Sequence, residues 1–241
     1  MDNMTLYIPH LTPALRFAQE ALDRAGIVPV SDGRNAGCWL FPVPTGEISE
    51  APGPGTQVIG GKLDRPEFSD CTRLDLLEDA QYLAENARLT AECALRILQE
   101  KLPTSIFLCP ILIIGWGRIG KCLAQLLSSM GARVVVAARK PADLGMLTAL
   151  GYETVVMGKL PEILPRMRVV INTAPAPVLD EGELKLLPAN GVKLDLASAR
   201  GLAGEDVLWA RGLPGKMLPE ASGQLIARRV LTLLYSKEAR V

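Results

Sequence analysis

The stretch Pro110-Ile111-Leu112-Ile113-Ile114-Gly115-Trp116-Gly117-Arg118-Ile119-Gly120 constrains this chain more than any other. A short apolar run, rich in Ile and too short for a helix, meets three glycines spaced G-x-G-x-x-G. Ile119, Leu123, Leu126, Leu127 and Met130 then recur at helical spacing. Strand, glycines and helix in that order form the dinucleotide-binding turn, whereas the glycine spacing alone is weak evidence. Gly115 allows a tight turn, Gly117 lets backbone reach a diphosphate, and Gly120 lets helix and strand pack closely. A diphosphate there meets the unpaired N–H groups at the helix start, where the dipole favours an anion.

The following strand, Ala132-Arg133-Val134-Val135-Val136-Ala137-Ala138, reads as a buried parallel strand. In an NAD site its end carries an acidic residue for the adenosine ribose; here it runs into Arg139-Lys140. A carboxylate repels a 2′-phosphate and a guanidinium binds one bidentately, so NADP is expected as the cofactor. The plainer reading of the two cations is a solvated strand end.

A chain of 241 residues, 49% of them apolar, can bury one large core or two smaller ones. The 26 basic residues balance the 26 acidic ones and no basic run stands out, which argues against a nucleic-acid surface. No apolar segment approaches the roughly 18 residues of a membrane span, and the N-terminus lacks the order of a secretion signal. Cys38, Cys71, Cys93, Cys109 and Cys122 are scattered without a C-x-x-C, as expected of reduced thiols in a cytoplasmic protein. His10 is the only histidine, so no metal site is expected, and a histidine-dependent hydrolase has one residue to build on.

The fold expected is α/β: a C-terminal Rossmann-type doubly wound parallel sheet plus a smaller N-terminal α/β domain. The first domain is placed at 1–92, with a bridging helix to about 103, and the dinucleotide domain with a C-terminal helix at 104–241. A long helical region is read from about Leu74 to Leu102, with Asp75 and Glu78 as a capping pair. Gly212 to Lys216 reads as a turn before a last helix, Glu220 to Lys237. Leu225 to Leu234 is a candidate helix face for a partner, such as a homodimer. Ligands on parallel sheets lie beyond the strand C-termini, which points to Asn172–Pro175, Ala197–Arg200 and Gly212–Lys216.

Several of these stretches together carry a resemblance. They are Gly115 to Gly120, the Arg139 strand end, Asn172-Thr173-Ala174-Pro175, Leu194-Asp195-Leu196-Ala197-Ser198 and Gly212-Leu213-Pro214-Gly215-Lys216 with Pro219 and Gly223. The chain resembles the dipicolinate synthase A-subunit family, and the Leu-Pro-Gly-Lys turn is the most specific element. The stretch with Asn86 and Thr90-Ala91-Glu92, and Pro42-Val43-Pro44, resemble that family's first domain. The likeness is good from Leu74 to Lys237 and poor over the first seventy residues. The first domain is read as shortened; a family glycine-rich turn is missing near Tyr7 to Leu11, and Leu89 stands where the family tends to have proline.

The resemblance implies a two-domain NADP-dependent oxidoreductase of sporulation. It would oxidise hydroxytetrahydrodipicolinate to dipicolinate in an interdomain cleft, beside a flavoprotein-like second subunit. It also implies roles. Trp116, Arg118, Ile119, Lys140, Thr173, Ala174, Pro175, Ala197 and Ser198 would join the glycines and Arg139 around the cofactor. Pro44, Thr45, Asn86, Thr90 and Lys216 would hold the substrate, and Glu92 and Lys216 would serve catalysis as proton acceptor and carboxylate clamp. Each has a plainer reading: Lys216 a solvated turn lysine, Asn86 and Thr90 polar spots on a helix, Glu92 a surface residue. Asp195, inside a strand, is also readable as structural. Two other functions stay open. One is a non-catalytic NADP-binding or regulatory subunit that has lost the substrate pocket. The other is a dehydrogenase of another small carboxylate, although 2-hydroxy-acid dehydrogenases usually rely on a histidine.

Overall fold

Short apolar runs alternating with helices build two parallel sheets in this computed structural model, which describes residues 4–238. One unit comprises Met1–Leu89 with Pro214–Val241; the other is Thr90–Leu213.

The first unit contains β1 (Thr5–Tyr7), α1 (Pro13–Arg24), β2 (Val28–Pro29), β3 (Cys38–Leu40), β4 (Gln57–Gly60) and β5 (Thr72–Asp75). Its strands are all parallel, in the order β2-β1-β3-β4-β5. Thr12 caps α1 by accepting from the Leu15 N–H at 3.2 Å, and Pro13 pre-sets the first helical φ. Ala14, Leu15, Ala18 and Leu22 form its buried stripe.

Strand β5 corrects the sequence reading, which merges it into the long helix. It is an edge strand with exposed Thr72 and Arg73, and so lacks an apolar run. Leu74, Leu76 and Leu77 fit helical as well as extended spacing. The helix α2 begins later, at Ala80, and runs to Lys101. Asp75 is not its cap; the carboxylate accepts from Leu63 N and Leu77 N, each at 2.8 Å. Asp79 is the residue that caps it, accepting from Tyr82 N at 2.7 Å.

The second unit runs β6 (Pro110–Ile114), α3 (Arg118–Ser129), β7 (Arg133–Ala138), α4 (Pro141–Ala149), β8 (Glu153–Val156), α5 (Leu160–Ile163), β9 (Val169–Asn172), α6 (Glu181–Leu184), β10 (Val192–Asp195) and β11 (Leu208–Trp209). All pairings are parallel and the order is β11-β10-β9-β6-β7-β8. This is the doubly wound order whose direction reverses between β6 and β9. Because both faces of the sheet are covered, Ile111 to Ile114, Val134 to Ala138 and Val169 to Asn172 are buried without alternation.

The stretch read as a turn at Gly212 to Lys216 is a short helix, α7 (Leu213–Met217), followed by α8 (Pro219–Glu238). The sequence reading assigns this last helix to the dinucleotide domain. In the structure it joins the first unit instead. Leu225, Ile226, Ala227, Val230 and Leu234 are buried in one cluster with Leu15, Ala18 and Leu22. The face proposed for a partner is therefore already covered by the chain itself. Gly223 makes the approach of α8 to α1 possible, since a Cβ there would run into the Ala14 carbonyl oxygen.

The same helix carries a buried ion pair. Arg229 reaches Asp79 at 2.6 Å with both side chains one-tenth exposed, and also donates to Gln81 Oε1 at 2.6 Å. Burial alone pushes the Asp79 carboxyl up, but hydrogen bonds from Arg229 and Tyr82 N and the guanidinium charge outweigh it, leaving it below its ordinary value. A depressed carboxyl contributes stability that is present above its unfolded value near pH 4 and lost as pH falls through the folded one. Arg229→Met leaves the carboxylate buried without its cation, so a loss of about 3–5 kcal/mol at neutral pH is expected. Urea unfolding at pH 7 and pH 3.5 checks it: the variant should lose less stability than wild type between the two.

No helix among the described residues is long and apolar enough to cross a membrane.

Candidate functional site

The turn after β6 has the geometry the glycine spacing implies. Gly115 has φ +105°, a conformation closed to side-chain-bearing residues at low cost. A Cβ at Gly120 would run into the Gly115 carbonyl oxygen, whereas one at Gly117 would meet nothing within 4 Å. The middle glycine thus borders open space and the third is packed against the strand end. Lys121 N makes the first bond of α3, to Gly117 O at 3.0 Å. Helix geometry leaves the N–H groups ahead of it over for an anion. These features fit a dinucleotide diphosphate, because backbone can approach where no Cβ intervenes.

Around this turn, Arg118 opens α3 and is exposed, as are Arg139 and Lys140 beyond β7. Among the described residues no carboxylate pairs with Arg139 or Lys140. Ile119 is half-buried. Trp116 lies edge-on to Tyr152 at 5.8 Å between ring centroids, with Lys121 Nζ 5.7 Å from the Trp116 ring centroid. The indole therefore packs on the loop ahead of β8.

Other nominated cofactor residues act through loop shape. Thr173 donates its hydroxyl to Ile114 O at 2.9 Å, and its own N–H bonds the same carbonyl oxygen at 2.8 Å. That proton is committed to holding the ends of β6 and β9 together beside Gly115, so Thr173 is a buttress of the turn. Ala174 N is held by Asn172 Oδ1 and Ala197 N by Asp195 Oδ1, each at 3.0 Å. Neither N–H remains for a ligand. Pro175 and Ser198 sit in the loops that follow β9 and β10, and both are exposed.

Behind these loops lies a buried network. Asn172 and Asp195 have no solvent exposure. Asp195 Oδ1 accepts from Asn172 Nδ2 at 2.9 Å and from Ala197 N; Oδ2 accepts from Gly201 N at 2.7 Å and Leu202 N at 2.9 Å. Asn172 Nδ2 also donates to Ala174 O at 3.0 Å. One carboxylate thus fixes the loops after β9 and β10, which makes the structural reading of Asp195 the right one.

Of the residues nominated for substrate, Asn86 and Thr90 stand one turn apart on α2 and share a side of the helix. Asn86 is half-buried and Thr90 buried. Glu92 lies two residues from Thr90, on a different side of the helix, so one small ligand does not meet both. Pro44 is exposed, while Thr45 is buried and donates its hydroxyl to Pro42 O at 3.1 Å. Thr45 is thereby a loop-closing residue. Lys216 is exposed on α7.

Sequence reasoning missed Trp209. Its indole Nε1–H donates to Ala197 O at 3.0 Å, and the Arg211 guanidinium stands 5.4 Å from the Trp209 ring centroid. An aromatic residue two positions ahead of a cation just past a strand end is the signal that was there to be found.

Cysteine chemistry has little to work with. Burial pushes the Cys38 thiol up to about 12 and the Cys93 thiol to about 11, which keeps both protonated. Among the described residues no group of three or more His, Cys, Asp or Glu side chains is arranged to hold a metal ion.

Residues 78–192 match the family described as D-isomer specific 2-hydroxyacid dehydrogenase, NAD binding domain. Over 172 residues the chain is 29% identical to the dipicolinate synthase A subunit of Bacillus subtilis (strain 168), covering 68% of this chain and 58% of that protein's length. A crystal structure of the dipicolinate synthase A subunit from Bacillus halodurans superimposes with a TM-score of 0.85 at 21% identity, over 96% of this chain and 98% of that one. The corresponding dipicolinate synthase structure from Bacillus subtilis gives a TM-score of 0.79 at 20% identity, over 100% and 99%. The likeness of fold therefore extends over both units.

Proposed function

We propose, for a chain that is a homologue of the dipicolinate synthase A subunit, that it is an NADP-dependent oxidoreductase converting a hydroxylated tetrahydrodipicolinate to dipicolinate. The observation that carries the cofactor half is the strand-end chemistry: an open Gly117 and unused helix N–H groups beside exposed Arg139 and Lys140, with no acidic residue ending β7.

The reaction loses water from the ring; a hydride and a proton then leave the dihydropyridine, and the aromatic pyridine formed supplies driving force. A bound nicotinamide supplies the hydride acceptor. The chain's own part is orientation, which is the larger share of catalysis when the product is intrinsically favoured. Two carboxylates on the substrate call for cations and hydrogen-bond donors. In this reading Lys216 is one cation, and Asn86 and Thr90 are donors from α2. Glu92 is left out, since its side of the helix is not theirs. A second subunit, flavoprotein-like by the resemblance, is the proposed partner.

Arg139→Gln is expected to weaken NADP by about tenfold to a hundredfold, the worth of a charge-assisted phosphate contact, and to leave NAD unchanged. Calorimetric titration with both cofactors reads this directly. Wild-type protein binding NAD as tightly as NADP would remove the NADP assignment. Activity is tested by following NADPH formation from freshly generated hydroxytetrahydrodipicolinate, with and without the second subunit. NADP binding without turnover in both cases would favour a non-catalytic role.

A further inference from the structure

We propose that Arg211, seated on the face of Trp209, receives one carboxylate of the substrate; the inference rests on the oxidoreductase reading above and adds a residue to it. Trp209 ends β11, the edge strand on the far side of the β6–β9 reversal from β7. All six strands are parallel, so their C-terminal ends share the side on which ligands of such sheets lie. Strand β11 stands three strand spacings from β6, about 14 Å. Arg139 follows β7, on the other side of β6. An extended cofactor lying on the Gly115 turn with its adenosine end toward Arg139 has its reacting end toward β9, β10 and β11, which is where Arg211 stands.

The site is built rather than incidental. Trp209 is in register with Asp195, and Ala210 N bonds Asp195 O at 2.8 Å. The indole N–H is fixed to Ala197 O, and Ala197 N is fixed to the Asp195 carboxylate. The Asn172–Asp195 network therefore holds the ring as well as the loops. Trp209 is 42% exposed and offers its face to the Arg211 guanidinium. A guanidinium held over a ring face keeps N–H groups that can receive a carboxylate in two parallel hydrogen bonds. Among the described residues no carboxylate pairs with Arg211. A planar dicarboxylate is the ligand class this arrangement suits.

The experiment uses the full chain saturated with NADP and pyridine-2,6-dicarboxylate as the probe, with affinities from calorimetry for wild type, Arg211→Gln, Arg211→Lys and Trp209→Phe. Arg211→Gln should weaken the dicarboxylate by about tenfold to a hundredfold while NADP affinity stays within about twofold. Arg211→Lys should recover part of the loss, because a point charge replaces a fork. Trp209→Phe, which keeps a ring but not the bond to Ala197, should fall between wild type and Arg211→Gln. Dicarboxylate affinity unchanged within about twofold in Arg211→Gln overturns this inference and leaves the oxidoreductase reading standing. Wild-type protein that binds NADP but not the dicarboxylate overturns the substrate reading and this inference together.

Discussion

Asp195→Ala is expected to cost the second unit about 4 kcal/mol or more. Four donors converge on this carboxylate: Asn172 Nδ2 and the N–H groups of Ala197, Gly201 and Leu202, at 2.7–3.0 Å. The residue has no solvent exposure, so water cannot take its place without opening the loops. A buried donor left unpaired costs about 1–3 kcal/mol, and the four losses do not add fully because relaxation is shared. Against a total stability of roughly 5–15 kcal/mol, the loss is a large fraction. Asp195→Asn, which keeps the size and one acceptor oxygen, should lose markedly less. Urea unfolding of the three proteins checks the ranking; an alanine variant within about 1 kcal/mol of wild type would show that the network does not hold these loops.

Gly120→Ala and Gly117→Ala should separate two roles that the motif combines. At Gly120 the new methyl meets the Gly115 carbonyl oxygen, which is backbone and cannot step aside. The start of α3 must move from β6, so stability should fall by about 1–3 kcal/mol and dinucleotide affinity by about a hundredfold. At Gly117, the N-cap of α3, the methyl enters open space, so stability should fall by no more than about 1 kcal/mol, the N-cap preference for glycine over alanine. Dinucleotide affinity should nevertheless drop at least about tenfold, since the methyl occupies the space a diphosphate needs. Cofactor titration beside thermal unfolding reads both. A Gly117→Ala protein that binds the dinucleotide normally would mean the ligand does not approach this turn.

The second unit was the legible part of the chain. Ile111 to Ile114 and Val134 to Ala138 are apolar without interruption because both faces of their sheet are covered, and such runs leave few alternatives. The first unit was harder because its strands are short and its edge is polar. Thr72 to Asp75 forms β5 through backbone pairing with Gln57 to Gly60, and its side chains say little about it. The place of α8 was not legible either. Its apolar face is plain in Leu225, Ile226 and Val230, but amphipathicity states that a face is buried and not against what. The glycines of the turn could be read singly because each answers a local backbone demand. Thr173 holds to Ile114, 59 residues away, and Asp195 to Asn172, 23 residues away, so spacing alone could not separate ligand contact from scaffolding at these two positions.

The return of α8 to α1 gives the chain an order of completion during synthesis. Every strand of the first sheet has been made by residue 75, yet Leu15, Ala18 and Leu22 keep an uncovered apolar groove until residues 225–234 emerge. The intervening unit, Thr90–Leu213, has all its strands before then and can close first. Helix α1 is thus among the last elements to reach its final state, and a nascent chain paused before α8 displays a sticky helix surface for as long as the pause lasts.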